Sequence, residues 1–477
     1  MLERWQGSMQ ERYDLIVIGS GPGGYVAAIK AAKMGMKTAI VERREIGGTC
    51  LNRGCIPTKT LMYSSHLYAI AKEFQELGIH CSGLSYDLNR IQDRKDQVVD
   101  KIRKGTKSLL ESNGVTIIEG NATIMDADSI RIQNADEETF LTTDRILIAT
   151  GSNPIIPAIE GINSKNVITS DELLSQRDQL YSKLIIIGGG VIGIELATFY
   201  LEMGSAVEII EAADRILPNM EKEVSQSVAM NLKKKGAIIH TKAKVVKIIE
   251  DSDNSLICEY EEKSGQKSTS AKGILVAVGR RANTEGLFGN DISIAMDGAH
   301  IKVNEKFQTS IDNIYAIGDV IKGRQLAHAA SAQGIATVEI MNNQTPSIHL
   351  DIIPSCIYTS PEVAVVGMSE EEAKANDLEI KVGKYPMLGN SKTILSTGER
   401  GFVKVISDTA SGRIIGATLF CERATDMVGE LATAIANGLT SQDLASVIRP
   451  HPTYEEAITE AVEDIGGMAI HLMPRRR

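Results

Sequence analysis

Two stretches of the chain repeat one succession of apolar and polar positions. In the first, the apolar run Tyr13–Ile18 is rich in β-branched residues and ends in Gly19-Ser20-Gly21-Pro22-Gly23-Gly24. A helical pattern follows over Tyr25–Met34, then a second short run, Lys37–Glu42. In the second, Lys183–Ile187 leads into Gly188-Gly189-Gly190-Val191-Ile192-Gly193, a helical pattern runs to about Met203, and another short run ends at Glu211. Brief apolar runs bounded by glycine predict buried strands, and the longer periodic stretches between them predict helices. Each repeat closes much later with one more strand, Arg145–Ala149 before Thr150-Gly151 and Gly273–Val278 before Gly279-Arg280. Strands alternating with helices predict parallel sheets, and so an α/β fold.

Both glycine clusters read G-x-G-x-x-G, and each is followed by an acid 18 residues past its last glycine, Glu42 and Glu211. One such motif arises easily by chance. Two, each between a strand and a helix and each with its acid, mark two Rossmann-like dinucleotide-binding units. The first glycine makes the tight turn, the second lets backbone approach a pyrophosphate, and the third lets helix pack on strand. Free N–H groups at the helix N-terminus face the phosphates, and the terminal carboxylate accepts ribose hydroxyls. The bland alternative is a pair of glycine-rich turns with no ligand.

The repeats differ in length. Gly19 to Gly151 spans 132 residues and Gly188 to Gly279 spans 91, an excess of 41 in the first unit. That excess holds Cys50 and Cys55, within Gly47-Gly48-Thr49-Cys50-Leu51-Asn52-Arg53-Gly54-Cys55-Ile56-Pro57-Thr58-Lys59. On a regular helix, residues five apart point in different directions and are too distant to bridge. Gly54 and Pro57 are the residues able to supply an irregular turn, and a helix N-terminus favours a thiolate. Half a zinc site and two inert thiols are the competing readings. Cys81, Cys258, Cys356 and Cys421 are isolated and are expected as buried structural thiols.

Composition narrows the class further. At 477 residues, about three domains are expected at roughly 150 residues each. The net charge of −10 and 4% aromatic content argue against a general polyanion binder. The tail Arg475-Arg476-Arg477 is expected to be a solvated end. The most apolar stretch, Leu184–Tyr200, has 17 residues and contains Glu195, so no membrane span is expected. The N-terminus, with Glu3, Arg4 and Trp5, has no apolar core of signal-peptide length. Six cysteines make no disulfide framework, so a reducing compartment, cytoplasmic or matrix-like, is expected, and any cysteine pair is expected to be catalytic rather than structural.

On these motifs the chain, from about Tyr13 to Met473, resembles the flavin-dependent pyridine nucleotide–disulfide oxidoreductases. Thr150-Gly151 resembles the family's internal flavin motif, and Ile314-Tyr315-Ala316-Ile317-Gly318-Asp319 its second flavin fingerprint, in which Asp319 meets the ribityl chain. Leu326-Ala327-His328 resembles the segment beside the flavin, with His328 expected to pack or support backbone. His451-Pro452-Thr453-Tyr454-Glu455-Glu456 resembles the HPTxxE element, with His451 as base and Glu456 as its orienting acid. Lys59 and Glu195 fall where the family has an ion pair near the flavin's reactive edge.

The resemblance implies an FAD site built from Gly19, Gly21, Gly24, Glu42, Thr49, Lys59, Ala122, Thr150, Gly151, Asp319 and Ala327. It implies an NAD site built from Gly188, Gly190, Gly193, Glu211, Ala243 and Gly279. It assigns Cys50 to exchange with substrate and Cys55 to contact with the flavin, and it implies a homodimer in which His451 reaches the other subunit's thiols. The implied reaction oxidises protein-bound dihydrolipoamide and reduces NAD, with lipoyl domains of an acyltransferase or the glycine cleavage carrier protein as partners. Glutathione or mercuric reductase activity and a flavin-binding scaffold without turnover are the alternatives; no second C-terminal cysteine pair supports mercuric ion.

The expected division is a first FAD part with the thiol pair (1–152), an NAD domain (153–281), a central stretch returning to FAD (282–348) and a C-terminal α+β interface domain (349–477). In the last, Ser369–Glu372 reads as a capping box opening an exposed helix. Four positions depart from the family's common pattern: Arg449 in place of a histidine two residues before the base, Ala282 in place of proline, Gln333 in place of glutamate, and Ala243 in place of valine.

Overall fold

In the computed structural model, which describes residues 12–135, 137–177, 179–398 and 400–473, the two repeats fold as five-stranded parallel sheets of one topology. The first runs Ile314–Ala316, Ile146–Ile148, Leu15–Ile18, Thr38–Glu42, Thr116–Glu119. The second runs Val167–Thr169, Gly273–Val276, Lys183–Ile187, Ala206–Glu211, Ile238–Thr241. In both, the strand entering the glycine turn is central and covered on both faces, which is why it is almost wholly apolar rather than alternating. The first helix spans Pro22–Lys33 and begins three residues before the expected Tyr25. Proline suits the first helical position, where its missing N–H would have no intrahelical partner anyway.

Each unit places a smaller sheet ahead of its closing strand: antiparallel Glu138–Thr143, Ser129–Gln133 and Asn121–Ile124 in the first, with Arg12–Tyr13 added parallel at the edge, and antiparallel Lys244–Glu250, Leu256–Glu262 and Gly265–Ala271 in the second. The excess of the first unit is the helices Gly48–Arg53, Cys55–Lys72 and Leu88–Ser112, where the second has the helix Lys222–Lys234.

The chain returns to the first unit after the second. Strand Ile314–Ala316 joins the edge of the first sheet, and helix Ala327–Met341 packs on Pro22–Lys33. A Cβ on Gly334 would lie 2.7 Å from the carbonyl oxygen of Gly23, so glycine permits this close approach. The C-terminal region is an antiparallel sheet, Ser355–Ile357, Glu362–Gly367, Ile414–Cys421, Phe402–Asp408, Ile380–Pro386, backed by helices Ala424–Ala436 and Glu456–Asp464. The helix Glu370–Ala375 opens on the Ser369–Glu372 capping box and is largely exposed. One apolar cluster joins Leu61, Phe199, Ile357 and Phe420, so the thiol helix, the second nucleotide unit and the C-terminal sheet share a core.

Two thiol expectations are corrected. Cys81 is exposed, because it lies in the irregular segment 79–87, and Cys356 is half-buried on an edge strand; Cys258 and Cys421 are buried. The segment 475–477 and residues 1–11 lie outside the described residues. No described helix is long and apolar enough to cross a membrane.

Candidate functional site

The two glycine turns are built alike and open into one cleft of about 2260 Å³. Gly19 and Gly188 have φ of +98° and +105°, left-handed backbone that favours glycine. A Cβ on either would lie 2.5 Å from the Ala149 carbonyl oxygen or 2.4 Å from that of Ala277. Gly24 and Gly193 do not line the cleft; they pack inward, where a Cβ would come within 1.9 Å of the Gly19 oxygen or 2.3 Å of the Gly188 oxygen. Gly21 and Gly190 have no atom within 4 Å of a notional Cβ and face the open cleft. Both are helix N-caps without a side-chain cap, which leaves first-turn N–H groups free for an anion.

The terminal carboxylates are locked in matching ways. Glu42 accepts from Ser20 N–H at 2.9 Å and Arg44 N–H at 2.9 Å. Glu211 accepts from Gly189 N–H and Ala213 N–H, both at 2.6 Å. Space, free N–H groups and a rigid carboxylate therefore fit a dinucleotide in each unit. Arg215, which the sequence reading missed, also lines the cleft four residues beyond Glu211 and donates to the Pro218 carbonyl at 3.1 Å. Ala243 lines the same wall and, through its N–H, donates to the Glu211 carbonyl at 3.0 Å. Gly279 is there too.

Between the cradles lies the thiol pair. The helix breaks at Gly54 (φ −141°, ψ −113°), ending Gly48–Arg53 and restarting at Cys55. A Cβ on Gly54 would sit 2.9 Å from the Thr49 carbonyl oxygen, so a glycine permits the break. It brings the Cys50 and Cys55 thiols within hydrogen-bonding reach, and both line the cleft with Thr49. The Cys50 hydrogen bond and the Lys59 charge lower the Cys55 thiol to about 7, whereas the Cys50 thiol is pushed up. Among the described residues, no group of three or more His, Cys, Asp or Glu side chains could hold a metal ion.

Lys59 Nζ pairs with buried Glu195 at 2.6 Å, and Glu195 also accepts from Tyr358 N–H at 3.0 Å. Lys59 lies 4.6 Å from the Tyr358 ring centroid. Loss of the lysine would leave this buried carboxylate with the Tyr358 N–H but no opposite charge. Asp319 accepts from Ser152 Oγ at 2.6 Å, and Ser152 in turn accepts from Arg280 Nε at 2.8 Å. Thr150 Oγ1 donates to the Asn283 carbonyl at 2.8 Å. Gln333 accepts from Gly318 N–H at 2.8 Å, so this departure from glutamate keeps an acceptor. Ala282 pairs opposite Ser152 on a short antiparallel ladder. Ala122, Gly151 and Ala327 line the cleft, and His328 Nε2 contacts the Pro354 carbonyl at 2.7 Å in a backbone-supporting role. Ser152 adjoins the quoted Thr150-Gly151, a usable signal; nothing in the sequence marks Tyr358 or Asn283.

His451 and Glu456 stand apart. His451 Nδ1 lies 2.9 Å from Glu456 Oε1, and Glu456 Oε2 accepts from Thr453 N–H at 2.9 Å. Neither residue lines the cleft that holds Cys50, and the His451 side chain is 70% exposed. The histidine–carboxylate pair therefore faces outward within one copy of the chain.

Two dinucleotide cradles opening onto a thiol pair beside a lysine–carboxylate pair define a flavoprotein disulfide oxidoreductase. Residues 13–334 match the family described as pyridine nucleotide-disulphide oxidoreductase, and 353–462 match that family's dimerisation domain. The chain belongs to this family, and its cofactors are FAD and NAD. It is of the dihydrolipoyl dehydrogenase type. It is 40% identical to a dihydrolipoyl dehydrogenase of Bacillus subtilis (strain 168) over 475 residues, covering 97% of this chain and 100% of the relative. It is 37% identical to that of Geobacillus stearothermophilus, covering 97% and 98%. Among solved structures, LpdA from Mycobacterium tuberculosis superposes with a TM-score of 0.88 at 25% identity, covering 94% of this chain and 99% of that one. The HOCl-induced flavoprotein disulfide reductase RclA from Escherichia coli gives 0.84 at 28%, covering 94% and 99%.

Proposed function

We propose that the chain oxidises protein-bound dihydrolipoamide to lipoamide and reduces NAD. The observation that carries this reading is the Cys50–Cys55 pair on the wall of a cleft shared by both dinucleotide cradles. The names of the relatives support the substrate. FAD, when bound, supplies the two-electron relay between the thiol pair and NAD; Gly19, Gly21, Glu42, Thr49, Lys59, Ala122, Thr150, Gly151, Asp319 and Ala327 would hold it, with Gly24 packing its turn.

In the proposed sequence the pair starts as a disulfide. One substrate thiol gives its proton to His451 of a second copy and attacks Cys50 Sγ; the Cys50–Cys55 bond breaks and Cys55 keeps the electron pair as thiolate. The second substrate sulfur then displaces Cys50, which leaves as a thiol carrying that sulfur's proton. Lipoamide departs oxidised. Cys55 is suited to hold the charge because its thiol lies low, near about 7, beside Lys59. Glu456 orients the imidazole, which takes the substrate thiol's proton as general base. Gly188, Gly190, Glu211, Ala243 and Gly279 form the NAD side, with Gly193 packing its turn.

The same reading makes the chain a homodimer with a site shared between copies, served by lipoyl domains of an acyltransferase or the glycine cleavage carrier protein, in the cytoplasm. It also takes the domain divisions near residues 152, 281 and 348. The test is steady-state turnover of the flavin-loaded protein with dihydrolipoamide, glutathione disulfide and both nicotinamide cofactors. Turnover of dihydrolipoamide with NAD is expected; preference for glutathione disulfide with NADPH would overturn the reading.

A further inference from the structure

We propose that Arg449 is a positioning residue that holds His451 against Glu456; this rests on the reading of His451 as the base. His451 lies on the segment 448–453, which belongs to no helix or strand and joins helix Ser441–Ala445 to helix Glu456–Asp464. Pro450 and Pro452 have no N–H to donate, so main-chain hydrogen bonding defines this segment poorly. Its position must come from side chains.

Arg449 supplies the strongest of them. Its side chain is 4% exposed, whereas its neighbour Ile448 is 96% exposed and the His451 side chain 70%. The guanidinium points into the protein and gathers three elements. Nη1 donates to the carbonyls of Leu444 and Val447, each at 3.3 Å, and to Thr459 Oγ1 at 2.6 Å. Nη2 pairs with Glu430 on helix Ala424–Ala436. Thr459 lies one turn beyond Glu456 on the same helix, so one guanidinium ties the segment bearing the base to the helix bearing its acid. Glu456 already uses both oxygens, one on His451 and one on Thr453 N–H. The 2.9 Å contact to the imidazole therefore depends on how segment and helix sit relative to each other.

Only a planar group with several diverging donors reaches carbonyls, a hydroxyl and a carboxylate together. A histidine here would have two ring nitrogens and a shorter reach. Arg449 is therefore this chain's own means of fixing the segment.

The experiment uses the flavin-loaded full-length protein with R449M, R449K, E430Q, T459V and H451Q. Two activities are compared: NAD reduction by dihydrolipoamide, which uses the base, and NADH oxidation by ferricyanide, which does not. R449M is expected to lower kcat for dihydrolipoamide by about 10- to 100-fold, as small misplacements of reacting groups do, while ferricyanide activity and the KM for NAD stay unchanged. R449K restores part of the loss, and E430Q and T459V each give a smaller loss of the same kind. Wild-type dihydrolipoamide turnover in R449M overturns the proposal, as does an equal loss of both activities. If R449M does not assemble, full kcat in both E430Q and T459V overturns it. H451Q separates the levels: retained turnover there removes the base and this proposal together, whereas an inactive H451Q beside a normal R449M removes only Arg449.

Discussion

The carboxylate of Glu211 accepts the backbone N–H of Gly189 at 2.6 Å, which makes the acid and the glycine turn of the second nucleotide unit one rigid piece. Glu42 and Ser20 make the same contact at 2.9 Å in the first unit. A carboxylate held in this way suits two ribose hydroxyls and opposes a 2′-phosphate. Repulsion and lost hydrogen bonds of roughly 3 kcal/mol give NAD a preference over NADP of at least ~100-fold in kcat/KM. E211R is expected to shrink the ratio mainly by weakening NAD. Arg215 is the cation to watch, because it lines the same wall; equal kcat/KM for both cofactors in the unmodified protein would refute the role given to Glu211.

The glycines of one motif should separate folding from cofactor binding. A methyl on Gly21 meets nothing within 4 Å, so flavin-free G21A is expected to match the Tm of the flavin-free wild type, yet G21A should purify with little flavin. On Gly24 the same methyl would lie 1.9 Å from the Gly19 oxygen, and G24A is expected to lose stability as well. Thermal melts and visible absorbance of the purified proteins check both, and normal flavin content in G21A would contradict the cradle.

Thiolate chemistry should follow pH with a definite sign. The Cys55 thiol lies lowered to about 7, chiefly through the hydrogen bond from Cys50 and also through Lys59. In the reduced protein the thiolate is therefore present above about pH 7 and is protonated as pH falls through that value. Ultraviolet thiolate absorbance should show a midpoint near 7 in the wild type. The midpoint should move up in C50A and in K59M. A wild-type midpoint near 9, the ordinary thiol value, would contradict this arrangement.

His451 and Cys50 should complement between copies. C50S is expected to bind FAD and lose dihydrolipoamide turnover, and H451Q to lose it by a separate route. Mixed under subunit exchange, the two inactive proteins should regain activity, since one of the two sites in a hybrid dimer has both groups intact. No recovery despite demonstrated exchange would argue for a site contained within one copy.

Much of this architecture is legible in the sequence, and the legible part is local. A positive φ at Gly19 and Gly188, an apolar central strand and an acid at the end of the next strand follow from backbone sterics and side-chain periodicity, which act over a few residues. Burial is the general tendency of cysteine, but Cys81 lies in an irregular segment whose exposure the sequence does not mark.

The sequence by itself thus determined two nucleotide units, the inserted thiol pair and the elements that present them. Only the tertiary structure decided what those elements meet. Lys59 reaches Glu195 across 136 residues, Ser152 reaches Asp319 across 167, and Arg449 ties its own segment to two helices. Such contacts have no period and no fixed spacing. They arise where packed sheets and helices bring distant side chains together, and the same packing leaves His451 facing outward from the copy whose cleft holds Cys50.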